Sequence, residues 1–83
     1  MSRVLVDGLR IRTGPSWKSS VVGHYNKGAI IKSGDLLICD GFSVWLRYHA
    51  AGGGLRYVCA SESPDNPRFY VDYPSNLPWQ NIA

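Results

Sequence analysis

Apolar and polar residues alternate along this chain in short stretches, each cut off by glycine or a turn pair before a helical repeat develops. With 9 glycines and 5 prolines, no clean stretch of about ten residues keeps apolar side chains at helical spacing. Val4-Leu5-Val6 runs into Asp7-Gly8, a pair suited to a tight reversal. Leu9-Arg10-Ile11-Arg12 then alternates strictly, which puts Leu9 and Ile11 on one face of a strand and the two arginines on the other. Gly14-Pro15 ends it. Val21-Val22 and Ala29-Ile30-Ile31 follow, separated by the turn Asn26-Lys27-Gly28.

Leu36-Leu37-Ile38-Cys39 and Val44-Trp45-Leu46-Arg47-Tyr48 flank Asp40-Gly41, and Leu55-Arg56-Tyr57-Val58-Cys59 returns after the loop Gly52-Gly53-Gly54. In the strongest of these strands Leu46 lies on one face, with Trp45 and Arg47 on the other. The pattern predicts an all-β fold, a small barrel or sandwich of five to six short antiparallel strands with turns every 8–12 residues.

The pattern changes near Ser61. Residues 62–83 hold four of the five prolines together with Phe69, Tyr70, Val71, Tyr73, Leu77 and Trp79. A solvated tail would be polar and poor in aromatics. Burying one large aromatic removes ~150–250 Å² from water, a gross gain of roughly 4–6 kcal/mol at ~25 cal/mol/Å². The expected organisation is therefore a barrel over 1–61 and an ordered extension over 62–83 that wraps it, with Phe69-Tyr70-Val71-Asp72 as an added strand.

Composition narrows the function. The chain has 83 residues, 45% of them apolar and 18% charged, so one thin-cored domain is expected. No apolar run is long enough to span a bilayer as a helix, and the first residues lack the pattern of a signal peptide. The formal charge of +3 is scattered, not clustered, which argues against a nucleic-acid partner. Cys39 and Cys59 sit in apolar runs and read as buried thiols more than as a disulfide. With His24 and His49 they fit no zinc spacing, and nothing calls for a metal or a cofactor. A cysteine nucleophile paired with His49 is disfavoured for the same reason of burial, and no carboxylates are placed for acid–base work.

Residues 8–15, GLRIRTGP, resemble the G-L-N-V-R-x-G-P signature of bacterial SH3 domains. The resemblance continues in order through Ser16, SVVG at 20–23, KGAII at 27–31, WLRY at 45–48 and RYVCAS at 56–61, covering about residues 4–61. Arg10 departs from the usual asparagine, and the extension lies outside the pattern. The resemblance implies an SH3-like barrel and a binding role without catalysis. Such domains hold peptidoglycan hydrolases, phage endolysins among them, on Gram-positive cell walls. It implies a partner in peptidoglycan or a teichoic-acid-type polymer, an N-terminal catalytic domain in the full-length protein, and action at the extracellular wall.

Exposed aromatics beside polar groups grip sugar rings and peptide stems, because the ring face is apolar and its surroundings hydrogen-bond. Trp17, in a loop after Pro15, and the outward-facing Trp45 are the candidates, together with Tyr25 and Tyr57. Arg10, Arg12 and Arg47 form a candidate positive strip for phosphates or carboxylates. The competing readings are that the extension covers Trp45, that Trp17 plugs one end of the barrel, and that the arginines are a solvated face. Tyr70, Tyr73 and Trp79 read as packing residues. The functional alternative is a structural module for self-association or for docking within a larger enzyme.

Overall fold

The structure, a computed structural model, describes residues 1–62 and 67–82. Among the described residues the fold is all-β, with ten short strands and no helix. They are β1 (Ser2–Val4), β2 (Leu9–Arg12), β3 (Val21–Tyr25), β4 (Ile30–Ile31), β5 (Gly34–Cys39), β6 (Ser43–His49), β7 (Leu55–Glu62), β8 (Arg68–Phe69), β9 (Val71–Asp72) and β10 (Trp79–Asn81).

One sheet runs β10-β5-β6-β7-β2-β3, with β8 also paired to β7, and a second runs β4-β1-β9. Hairpin β5–β6 turns at Asp40-Gly41, where Gly41 has φ 93° and the Asp40 N–H donates to Ser43 O at 3.1 Å. That left-handed conformation suits a residue without Cβ. β6 and β7 form the longest ladder, from Ser43↔Glu62 to His49↔Leu55.

Alternation along these strands separates two apolar groups. Leu9, Leu37, Leu46, Tyr48, Val58 and Ala60 meet Val4, Ile31 and Val71 of the smaller sheet in the main core. On the other face of β5, β6 and β7, Ile38, Trp45 and Cys59 form a second cluster. A sheet with both faces covered accounts for the nearly continuous burial along β6.

The element count and one pairing differ from the sequence reading. Among the described residues there are ten strands instead of five or six, and β10 runs parallel to β5, whereas the other pairings are antiparallel. The first strand is Ser2–Val4, not Val4–Val6, and the Leu5 N–H that follows it donates to Tyr70 O at 2.8 Å, in register with the β1–β9 pairing. The stretch 69–72 splits into β8 and β9, with Tyr70 between them donating its N–H to Ala60 O.

Residues 67–82 thereby touch both sheets: β8 extends β7, β9 pairs with β1, and β10 lies along β5. Pro78 O accepts from Leu37 N at 2.9 Å and Cys39 O accepts from Ile82 N at 2.9 Å, which fixes the last strand at both ends. Prolines at 67, 74 and 78 keep these strands short, because each removes a ladder donor. Val71 is fully buried, while Phe69 and Trp79 are about half exposed.

Candidate ligand-binding face

The loop over residues 13–20 is closed by Thr13 N donating to Ser20 O and Ser19 N donating to Ser16 O, at 3.1 and 3.0 Å. The Ser16 hydroxyl accepts from Lys18 N, so Trp17 stands at the bend of a tightly bonded turn. Beneath it, Arg12 Nη1 donates to Trp17 O at 3.0 Å and to Ser19 O at 3.1 Å. The guanidinium carbon lies 5.2 Å from the centroid of the Trp17 ring, within cation–π range.

Trp17 packs edge-on against Trp45, with centroids 4.9 Å apart and planes at 63°. Its Nε1 donates to Ser43 Oγ at 3.3 Å, and Trp45 Nε1 donates to Asp40 Oδ2 at 3.1 Å. The other Asp40 oxygen accepts from Phe42 N at 2.9 Å and Ser43 N at 2.6 Å. Burial works to raise the Asp40 carboxyl, but the hydrogen bonds from Ser43, Phe42 and Trp45 together hold it below its ordinary value. One carboxylate thus fixes both the turn and the indole that supports Trp17.

Three of the sequence candidates come together here. Trp17, Arg10 and Arg12 line one cleft of about 360 Å³, with Asp7, Cys59 and Tyr70. Trp17 is 49% exposed and offers the uncovered part of its ring to solvent. The Tyr70 hydroxyl donates to Glu62 Oε1, which aligns the phenol at the edge of the same cleft.

The other candidates need correction. Trp45 is 0% exposed and offers no surface to a ligand. Its cover is Trp17, with Tyr70 of the extension packed at the side of the cluster. Arg12 is 9% exposed, its guanidinium engaged by loop carbonyls, so it is not part of a solvated strip. Arg47 pairs with Asp35, Nε to Oδ1 at 2.9 Å and Nη2 to Oδ2 at 3.2 Å, and His49 Nε2 lies 3.1 Å from the same carboxylate. The Arg47 hydrogen bonds hold the Asp35 carboxyl below its ordinary value. Of the three arginines, Arg10 is the one exposed on the strand face. Tyr57 is half-buried, opposite both Arg12 and Arg47 in the ladders, one row beyond Trp45. Tyr25 lies elsewhere: it packs on Tyr48 at 6.1 Å, against the main core.

Both cysteines are free thiols. They stand on β5 and β7 with β6 between them, so neighbouring strands do not bring them together. Burial, aided by the charge of Glu62, pushes the Cys59 thiol up to about 12, and burial raises Cys39 as well.

A second aromatic surface joins residues of the extension, which the sequence pattern assigns to packing, with Phe42 of the β5–β6 turn. Phe42, Phe69 and Trp79 are 57%, 52% and 54% exposed. Phe69 and Tyr73 line two clefts, one shared with Phe42 and Val44, the other with Leu5 and Trp79. The signal in the sequence was Phe42 itself, a large apolar residue directly after Asp40-Gly41 where a turn wants polar residues.

Comparisons with protein-family models, with curated proteins and with solved structures return no significant match to this chain.

Proposed function

We propose that this chain is a non-catalytic binding module of the bacterial SH3 kind, which anchors a catalytic partner domain on peptidoglycan or an attached polymer of Gram-positive walls. In this reading the two sheets form one SH3-like barrel, and the residues after 61 are a strap added to it. The observation that carries the reading is the half-exposed Trp17, held over Trp45 and Arg12 beside a cleft that also presents Arg10 and Asp7. A ring fixed from below loses little freedom when a sugar or peptide settles on it, so its contact area converts to affinity with little ordering cost.

The polar groups near this face support binding over chemistry. Asp40, Asp35 and Glu62 already accept hydrogen bonds from neighbouring side chains or backbone, and the raised thiols are protonated at neutral pH. The test is a fluorescent fusion incubated with purified walls from several Gram-positive species, with and without their teichoic acids. Retention on walls supports the proposal, and failure on every wall removes it.

The structural-module alternative has one observation in its favour. β3 is the terminal strand of its sheet, paired to β2, with Val21 and Val22 about half exposed. An apolar edge of this kind can pair with a second chain. Sedimentation of the chain by itself distinguishes the two: a stable dimer that Val22→Lys dissolves, together with no wall binding, would favour assembly.

A further inference from the structure

The cleft under the C-terminal strap has its own chemistry. It is lined by Leu5, Phe69, Asp72, Tyr73 and Trp79, and measures about 550 Å³. Phe69 and Tyr73 stand 6.2 Å apart with planes inclined at 46°, so they meet as two angled walls and do not form a flat shelf. Trp79, half exposed on β10, supplies a third ring. Asp72, on β9, brings a carboxylate to the same cleft, and no lysine or arginine lines it.

Several aromatic rings around one carboxylate make a site for an organic cation. The ring faces carry negative quadrupole density, and they attract alkylated ammonium groups that a strongly hydrated lysine-type cation would not leave water to meet. A flat sugar would want a coplanar platform and several hydrogen-bonding partners, whereas these rings are angled. We propose that this cleft binds a quaternary ammonium group, with Phe69, Tyr73 and Trp79 as its walls and Asp72 as its counter-charge. The site is separate from the Trp17 cleft and stands or falls without it.

Arg3 is opposite Asp72 in the β1–β9 ladder, which places a charge of the guest's own sign beside the site. A guest cation would therefore be repelled by the Arg3 guanidinium across the ladder, and Arg3→Gln is expected to tighten binding.

The test is a titration of the full chain with choline chloride, followed by amide NMR shifts and calorimetry. The control is 3,3-dimethyl-1-butanol, the uncharged isostere of choline. Choline should produce saturable shifts at residues 69–73 and 79, about tenfold tighter than the isostere. Asp72→Asn, an exposed change that leaves the fold intact, should weaken choline several-fold and leave the isostere unchanged. Tyr73→Ala should weaken both. Equal affinity for choline and its isostere would reduce the cleft to an apolar groove and overturn the proposal. So would the absence of saturable shifts, shifts confined to the Trp17 cleft, weaker choline binding by Arg3→Gln, or tighter binding of an N-acetylglucosamine oligomer in the same cleft.

Discussion

The indole of Trp17 rests edge-on against that of Trp45, centroids 4.9 Å apart, one ring 49% exposed and the other sealed. The pair divides two jobs between two residues of one type. Trp45 holds the outer cluster together with Ile38 and Cys59, and Trp17 lies half exposed on top of Trp45.

Their substitutions should therefore separate. Trp45→Ala empties a sealed site and is expected to lower unfolding free energy by about 3–5 kcal/mol. Trp17→Ala removes an edge contact, the cation–π contact with Arg12 and one hydrogen bond, with an expected cost of about 1–2 kcal/mol at this half-exposed site. Urea titrations of the two variants check this. Equal losses would mean that Trp17 is a core residue.

Acid should loosen the face through Asp40 and Asp35. Both carboxyls are held below their ordinary value of 3.8 in the folded chain, so between the two values the unfolded chain binds more protons. Their contribution is full above the unfolded value, near pH 4, and is lost as pH falls through the folded one. Urea midpoints should fall across that window, and Asp40→Asn should flatten the fall. A wild-type midpoint independent of pH below about 4 would refute this linkage.

Ending the chain after Ser61 removes β8, β9 and β10 and strips partners from β7, β1 and β5. It also opens the main core at Val71, which is fully buried. A large drop in melting temperature, or loss of a cooperative transition, is expected by calorimetry. An unchanged transition would assign the strap no structural part.

Salt should affect wall binding only modestly. Arg12 is turned into its own loop and Arg47 is matched by Asp35, which leaves Arg10 as the exposed guanidinium of the three. Arg10→Gln is expected to weaken binding a few-fold and to remove most of its salt dependence. A steep salt dependence that survives Arg10→Gln would place the contact on another charged surface.

Much of the architecture could be read from residue pattern, because the alternation at Leu9–Arg12, the turn pair at 40–41 and the glycine loop at 52–54 are local signals. The burial of Arg12 could not. Alternation put it opposite Leu9 and Ile11, which is where it lies, but the loop over 13–20 folds back on that face and covers it. Trp45 failed for the same reason, since a sheet covered on both sides has no outward row in its centre. The Asp35–Arg47 pair joins residues 12 apart across a hairpin whose register shifts between Gly34 and Leu36, and the sequence does not announce such a bulge. In the extension, aromatic content indicated order, but three short strands that carry exposed rings depend on where each proline interrupts pairing.

The decisive measurement is retention of the fluorescent chain on purified Gram-positive walls, comparing wild type with Trp17→Ala at matched folded fraction. Wild type should be retained and Trp17→Ala released, at least about tenfold weaker. Equal retention of both proteins would move the binding surface away from Trp17, and retention of neither would end the wall-binding proposal.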